Sequence, residues 1–187
     1  IHDNGLLEGG MASGSRDAEG VPRRHQALVE GGKLTNMLWS TRDAAQQVAE
    51  GRTDAAASTG SANSGGHQSP PSTGCTELFL TTSEATRSWE QLLEHMGDGY
   101  VVNSVMGAHT ANPTSGDFSV TTSAILKVEN GEVVGALKQA GLSGNLAKAM
   151  DAEVVLGADV RRQGSYSSGS MHLPDVLLMD GLRINPA

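Results

Sequence analysis

Asn130-Gly131 stands between two alternating apolar runs and fixes a hairpin before anything else in the chain can be read. From Phe118 to Val128 the even positions are Phe118, Val120, Thr122, Ala124, Leu126 and Val128, and the odd ones are mostly Ser, Thr and Lys. Alternation with period two marks a strand with one buried face. An Asn-Gly pair supplies the two positive φ angles of a type I′ turn, so Glu129 is predicted to pair with Glu132, Val128 with Val133, Leu126 with Gly135 and Ala124 with Leu137. Leu28-Val-Glu-Gly-Gly-Lys-Leu34 reads the same way and pairs Glu30 with Lys33. The two stretches are either copies of one hairpin, an internal duplication, or a chance recurrence of two glycine turns.

Twenty-four glycines and 3% aromatics favour turns and small-residue packing over a helical bundle. Three short helices are predicted. One is capped by Ser40 or Thr41 and ends before Gly51. One carries Trp89, Leu92, Leu93 and Met96 at helical spacing and ends at Gly97, and one is capped by Ser143 and carries Leu146, Ala149 and Met150. Further strands are expected at Thr76 to Thr81, Tyr100 to Met106, Glu153 to Leu156 and Asp175 to Met179. Hairpins and helices in blocks, without strict βαβ alternation, make the predicted class α+β with antiparallel sheets. Residues 53 to 74 are nearly all small or polar and are predicted to form a flexible loop.

A net charge of −8 without a Lys/Arg cluster argues against direct contact with nucleic acid. No apolar run is long enough to cross a membrane as a helix. The single cysteine, Cys75, precludes an internal disulfide and fits a reducing compartment, so the expected location is the cytoplasm. A chain of 187 residues fits one domain, and because it opens on Ile1 without a start signal for a helix or strand, it is expected to be a fragment with an N-terminal part lying outside it.

The chain contains no His-Glu-x-x-His, Cys-x-x-Cys, Walker or Gly-x-Ser-x-Gly motif, and its six histidines are scattered. His109 lies in a turn-rich stretch able to line a groove, with Asn112, Asp117 and Phe118 close behind it. Asp117 is expected to fix the turn through an Asx-type hydrogen bond. Gly164-Ser-Tyr-Ser-Ser-Gly-Ser170 is a hydroxyl-rich loop whose Ser167 and Ser170 are further contact candidates.

With these residues in view, the chain resembles the C-terminal half of the TldD/PmbA family, described as modulators of DNA gyrase and understood as a two-subunit cytoplasmic metalloprotease. The matching stretches are Asp17-Ala-Glu-Gly-Val-Pro-Arg-Arg24, Leu28-Val-Glu-Gly-Gly-Lys-Leu34, Ser58-Thr-Gly-Ser-Ala62, Asn112-Pro-Thr-Ser-Gly-Asp-Phe118, Val128-Glu-Asn-Gly-Glu132, Ala140-Gly-Leu-Ser-Gly-Asn145 and Leu173-Pro-Asp-Val176. Ser61 departs from the pattern, which has Asn there.

The resemblance implies that zinc sits on a TldD-type subunit, held by a His-Glu-x-x-x-His helix and a late cysteine, and that the PmbA (TldE) type lacks the site. This chain has no cysteine after Cys75 and is similar to the metal-free type. On that basis the chain carries no catalytic residue, metal or cofactor of its own. Its expected partners are a TldD-like catalytic subunit and an unfolded peptide added as a strand to a sheet edge, with a homo-oligomer as a further arrangement. His109, Asn112, Asp117, Phe118, Ser167 and Ser170 would serve the peptide groove or the subunit contact. Two alternatives stand beside this: a metal-dependent hydrolase using His109, Asp117 and His172, and a peptide-binding β-rich module.

Overall fold

A computed structural model describes residues 1–54, 56–165 and 169–186. The chain divides into two compact units, one of residues 1–81 and 160–173 and the other of residues 82–159 and 174–187. The architecture is α+β and built mainly from antiparallel pairs.

The first unit opens with β1 (His2–Asn4), β2 (His25–Ala27) and the small hairpin β3 (Val29–Glu30) and β4 (Lys33–Leu34). Glu30 pairs with Lys33 across Gly31-Gly32, as the charges require. This hairpin shares the tip register of the Asn130-Gly131 hairpin, but its strands are only two residues long. Helix α1 (Thr41–Ala49) follows, with the Ser40 hydroxyl accepting from the Asp43 N–H at 3.1 Å. Next come β5 (Ala62–Asn63), β6 (Ser72–Thr73) and β7 (Glu77–Phe79).

The stretch from 53 to 74, read from sequence as a flexible loop, holds the paired β5 and β6 and buries Ser61 and Ala62 completely or nearly so. Hydrogen bonding rather than apolar area holds the residues around Gly60. The Ala62 N–H donates to the Asp17 carboxylate at 3.1 Å, and the Thr59 N–H to the Trp39 carbonyl at 3.0 Å. Gly60 has φ +73°, and a Cβ there would stand 2.3 Å from the Pro22 carbonyl oxygen, so no other residue fits.

The second unit contains α2 (Trp89–Met96), β8 (Gly99–Met106), a 3-10 turn (Ala108–Thr110), β9 (Asp117–Glu129), β10 (Glu132–Asn145) and α3 (Leu146–Asp151). A reciprocal capping box of Ser88 and Gln91 starts α2, and Gly97 at φ 65° ends it. Helix α3 is capped by Asn145, whose Oδ1 accepts from the Lys148 N–H at 3.1 Å. Ser143, the expected cap, lies inside β10 opposite Ser119. The strand simply continues two residues further than its sequence suggests.

The last elements are β11 (Val154–Ser165), β12 (Gly169–Leu178) and β13 (Leu182–Pro186), and the division between the units falls within β11 and β12. A four-stranded antiparallel sheet runs β13-β10-β9-β8, and a five-stranded one runs β11-β12-β7-β1-β2, with a parallel pair between β12 and β7.

The hairpin of β9 and β10 turns as predicted. Glu129 faces Glu132 and Val128 faces Val133, across Asn130 and Gly131 at φ 51° and 78°. Beyond that the expected register fails. A bulge between Val133 and Gly135 shifts the pairing by one, so Gly135 faces Lys127 and Leu137 faces Ile125. A second irregularity sits at Ala124, which has φ 55° and is exposed. Between the two, the buried residue is Ile125 rather than Ala124 or Leu126. The hairpin tip is held by the turn that follows α2, where the Gly131 N–H donates to the Gly97 carbonyl at 2.7 Å and the Asn130 N–H to the Asp98 carboxylate at 2.8 Å.

Candidate functional site

The turn from Gly107 to Asp117 connects the edge strand β8 to β9. Asn112 organises it: its side-chain oxygen accepts from the Thr114 and Ser115 N–H groups at 2.9 and 3.1 Å, and its own N–H donates to the Asp117 carbonyl at 2.9 Å. Asn112 is therefore the Asx residue, the role the sequence had suggested for Asp117. The Asp117 carboxylate instead accepts from the Asn145 side-chain amide at 2.8 Å. That bond, with a second from Ser115, holds the Asp117 carboxyl below its ordinary range. Asn145 also donates to the Ser115 carbonyl at 2.8 Å, so one side chain ties this turn to the start of α3. His109, Asn112 and Asp117 are exposed and Phe118 is half-buried.

Ser170 lies elsewhere, fully buried in the first unit. The structure thus brings four of the sequence candidates together and leaves Ser170 in a different setting. Ser167 falls outside the described residues.

Sequence reasoning missed a second cluster, in the first unit. Glu77 is fully buried at the start of β7, and its Oε2 lies 2.7 Å from His172 Nε2 while Oε1 accepts the Ala12 N–H at 2.9 Å. Burial pushes the Glu77 carboxyl up, but the Ala12 N–H, the hydrogen bond and charge of His172 and the Ser170 hydroxyl outweigh it, and the net position is below ordinary. Phe79, two residues on, stacks on the His172 ring at 4.1 Å and on His2 at 4.9 Å, and His2 meets His25 at 4.8 Å. Four rings from β12, β7, β1 and β2 so form one row across the sheet. Burial and the neighbouring His25 lower the affinity of His2 for a proton.

Beside this lies a polar network made from the short stretches quoted above. Asp3, 1% exposed, accepts from the Thr76 and Glu77 N–H groups at 2.8 and 2.9 Å. Burial raises the Asp3 carboxyl even so, against those bonds and the charge of Arg23. Arg23 reaches Thr76 Oγ1 at 2.6 Å and the Asn63 side-chain oxygen at 3.1 Å. Asp17 accepts from Glu19, Val21 and Ala62 N–H groups. The Cys75 thiol is half-buried and pushed up, first by burial and then by the Asp3 charge. No local motif announces this assembly, since its members stand tens of residues apart. The one available signal was that Asp17, Arg23 and the Ser58–Ala62 stretch belong to the segments carrying the resemblance.

Among the described residues no three His, Cys, Asp or Glu side chains converge as metal ligands. No helix of the described chain is long and apolar enough to cross a membrane.

An α+β chain of long antiparallel hairpins with this interlocked polar network defines a domain class already represented among solved structures. Residues 1–185 match the PmbA/TldA metallopeptidase C-terminal domain, and the chain belongs to that family. It is 31% identical over 171 residues to an uncharacterized protein of Methanocaldococcus jannaschii, covering 91% of this chain and 37% of that one. To the metalloprotease PmbA of Escherichia coli O157:H7 it is 29% identical over 176 residues, covering 94% of this chain and 34% of that one. The chain therefore spans little more than a third of the length of these curated relatives.

Among solved structures, a candidate DNA gyrase modulator from Thermotoga maritima superposes with a TM-score of 0.76 at 29% identity, covering 100% of this chain and 38% of that one. TldE from Thermococcus kodakarensis shares the fold, with a TM-score of 0.80 at 23% identity over 98% of this chain and 39% of that one.

Proposed function

We propose that this chain is the C-terminal part of a metal-free, non-catalytic subunit of a TldD/PmbA-type metalloprotease. It acts in the cytoplasm beside a zinc-carrying TldD-like subunit and helps to present unfolded peptide. The observation that carries this reading is the placement of the one cysteine. The zinc-binding type draws a thiolate ligand from late in its C-terminal half, whereas Cys75 is early, half-buried and held toward the protonated thiol. A protonated thiol is a poor zinc ligand.

The exposed outer half of β8, Asn103 to Met106, at the edge of the four-stranded sheet, supports the peptide role. An edge strand offers unpaired N–H and C=O groups to which an extended peptide can add. The turn that carries His109, Asn112 and Asp117 follows that edge directly, and Phe118 lies at the head of the next strand.

The test is zinc content and peptide hydrolysis, measured on the purified chain alone and after mixing with a zinc-loaded TldD-like subunit. The expected result is no stoichiometric zinc and no hydrolysis alone, with co-elution and hydrolysis in the mixture. Stoichiometric zinc together with hydrolysis by the chain alone would overturn the proposal in favour of a stand-alone hydrolase.

A further inference from the structure

In the second unit, Ala85, Thr86, Arg87, Gln91, Glu94 and His95 line a polar cleft of about 680 Å³. That lies inside the roughly 300–1,000 Å³ range of small-ligand sites. Both the main chain and the side chain of Arg87 are tied down. The Arg87 N–H donates to the Leu156 carbonyl at 3.1 Å and its carbonyl accepts from the Ala158 N–H at 2.8 Å, a parallel bridge to β11 at Gly157. The side chain is half-buried, and its Nη1 lies 3.1 Å from His95 Nδ1. A guanidinium can only donate, so Nδ1 is the acceptor and the neutral ring carries its proton on Nε2. That nitrogen is 2.9 Å from Glu153 Oε1, which holds the ring in this tautomer.

Arg87 is therefore aimed by a neutral imidazole, and among the described residues it forms no ion pair. With Nη1 occupied, the opposite edge of the guanidinium presents Nε–H and Nη2–H in parallel, the fork that matches the two oxygens of a carboxylate. Neither nitrogen has a hydrogen-bond partner among the described residues. Gln91 is oriented too, because its side-chain oxygen accepts the Ser88 N–H at 2.9 Å and leaves the amide N–H groups to donate. Glu94 is the one carboxylate in the lining and is exposed. A dianion such as phosphate would meet Glu94 and a chain of net charge −8 with one guanidinium to offset them. A carboxylate carries half that charge and needs only the one fork.

We infer that this cleft captures the free C-terminal carboxylate of a peptide, both oxygens on the Nε–Nη2 edge of Arg87, with Gln91 donating to the last peptide carbonyl. This deepens the reading of the chain as a peptide-handling subunit and rests on it. Binding here needs neither zinc nor a catalytic partner, so its failure is distinguishable from failure of the zinc and hydrolysis test above.

The experiment is a calorimetric titration of the 187-residue chain with a short N-acetylated glycine-alanine peptide, once as the free acid and once as the C-terminal amide. Acetate and inorganic phosphate are titrated beside them. The free acid is expected to bind about tenfold more tightly than the amide, the order expected of hydrogen bonds to a charged group. This comparison uses the unaltered chain, so it does not depend on any variant folding. Acetate and phosphate should each bind at least about tenfold more weakly than the peptide acid, acetate because it reaches the fork alone and phosphate because of its charge. Arg87→Lys keeps the charge without the fork and should reduce the acid-to-amide ratio to about threefold or less. Arg183→Lys, the same change at an exposed position outside the lining, should leave the ratio unchanged. Absence of binding by the free acid, equal binding of acid and amide, or an equal effect of Arg183→Lys would overturn the inference. Acetate or phosphate binding as tightly as the peptide acid would also overturn it, in favour of a site for small anions.

Discussion

The two units fill their interiors with different chemistry. In the second, the buried residues are Leu92, Leu93, Val120, Ile125, Val128, Leu142, Leu156 and Leu177 with small neighbours, and Thr122 is the one buried polar side chain among the described residues. In the first, Asp3, Asp17, Ser40, Ser61, Thr76, Glu77 and Ser170 are buried, and the buried apolar residues are Ala44 and Ala62. An apolar core is stabilised by area, which is non-directional and tolerates local irregularity such as the bulge at Val134. A polar core is stabilised only where every donor meets an acceptor, so its geometry is specified closely and its failure is abrupt. The stretches that carry the family resemblance are divided between the units, with 17–24, 28–34 and 58–62 in the polar one and 112–118, 128–132 and 140–145 in the apolar one.

The sharpest way to break this contrast is at Glu77. Glu77→Ala leaves His172 and the Ala12 N–H without their acceptor, and removing one partner of a buried pair is expected to cost about 3–5 kcal/mol. The two tryptophans separate the units, because Trp39 belongs to the first and Trp89 to the second. Single-tryptophan variants in urea should therefore show the loss at Trp39. An equal shift at both probes would show that the cores fail together. The counterpart in the apolar unit is Leu93→Ala, expected to cost about 3 kcal/mol by lost transfer energy and cavity formation and to be read at Trp89.

Acid should also separate the units, with opposing signs inside the first. The Glu77 carboxyl is depressed below its ordinary 4.5, so its contribution is in place above that value and is lost as pH falls through the lower folded value. The Asp3 carboxyl is raised above 3.8, so ionising it opposes folding as pH rises through the raised value, and acid relieves that cost. Burial and His25 depress His2 below 6.5, so its contribution is lost as pH falls through that value. The polar unit is therefore expected to weaken first as His2 resists the proton, with acid relief at Asp3 offsetting part of the loss, and to weaken again below 4.5 as Glu77 takes up its proton. The apolar unit should stay nearly flat over the same range. A Trp39 transition that does not move from neutrality down to 4.5 would contradict the His2 part of this balance.

A smaller effect is expected at Arg23. Its two terminal nitrogens serve Thr76 and Asn63 separately, a fork that a lysine ammonium does not reproduce from one position. Arg23→Lys should cost about 1 kcal/mol, the typical net value of one hydrogen bond, and again appear at Trp39. No change would mean that Arg23 contributes charge rather than geometry.

What could be read from sequence follows the same division. Local rules found the Ser40 cap, the Gly97 stop on α2 and both hairpin tips, because each is decided by residues within four positions of one another. The polar network was invisible, because Asp17 meets Ala62 and Asp3 meets Thr76 across 45 and 73 residues, and a hydrogen-bonded core leaves no hydrophobic period. The candidate turn lay between these cases. Its Asx geometry was legible as a type, but the residue making it was Asn112, and the anchor Asn145 came from the end of another strand.

The alternation along β9 misled for a reason that yields the smallest expected effect. Even positions are buried at Val120 and Thr122; at Ala124 the backbone turns left-handed and the buried face moves to Ile125, returning to an even position at Val128. An L-residue there is disfavoured by roughly 1–2 kcal/mol, while glycine would add about 0.4–1 kcal/mol of unfolded-state entropy. Ala124→Gly should therefore stabilise the apolar unit by about 0.5 kcal/mol, seen as a later Trp89 transition in urea with an unchanged slope. Ala124→Val should do the reverse, since a β-branched residue suits the left-handed region least. If glycine destabilises instead, the kink is imposed by packing around Ile125 rather than tolerated at Ala124, and the apolar unit is as exacting about its geometry as the polar one.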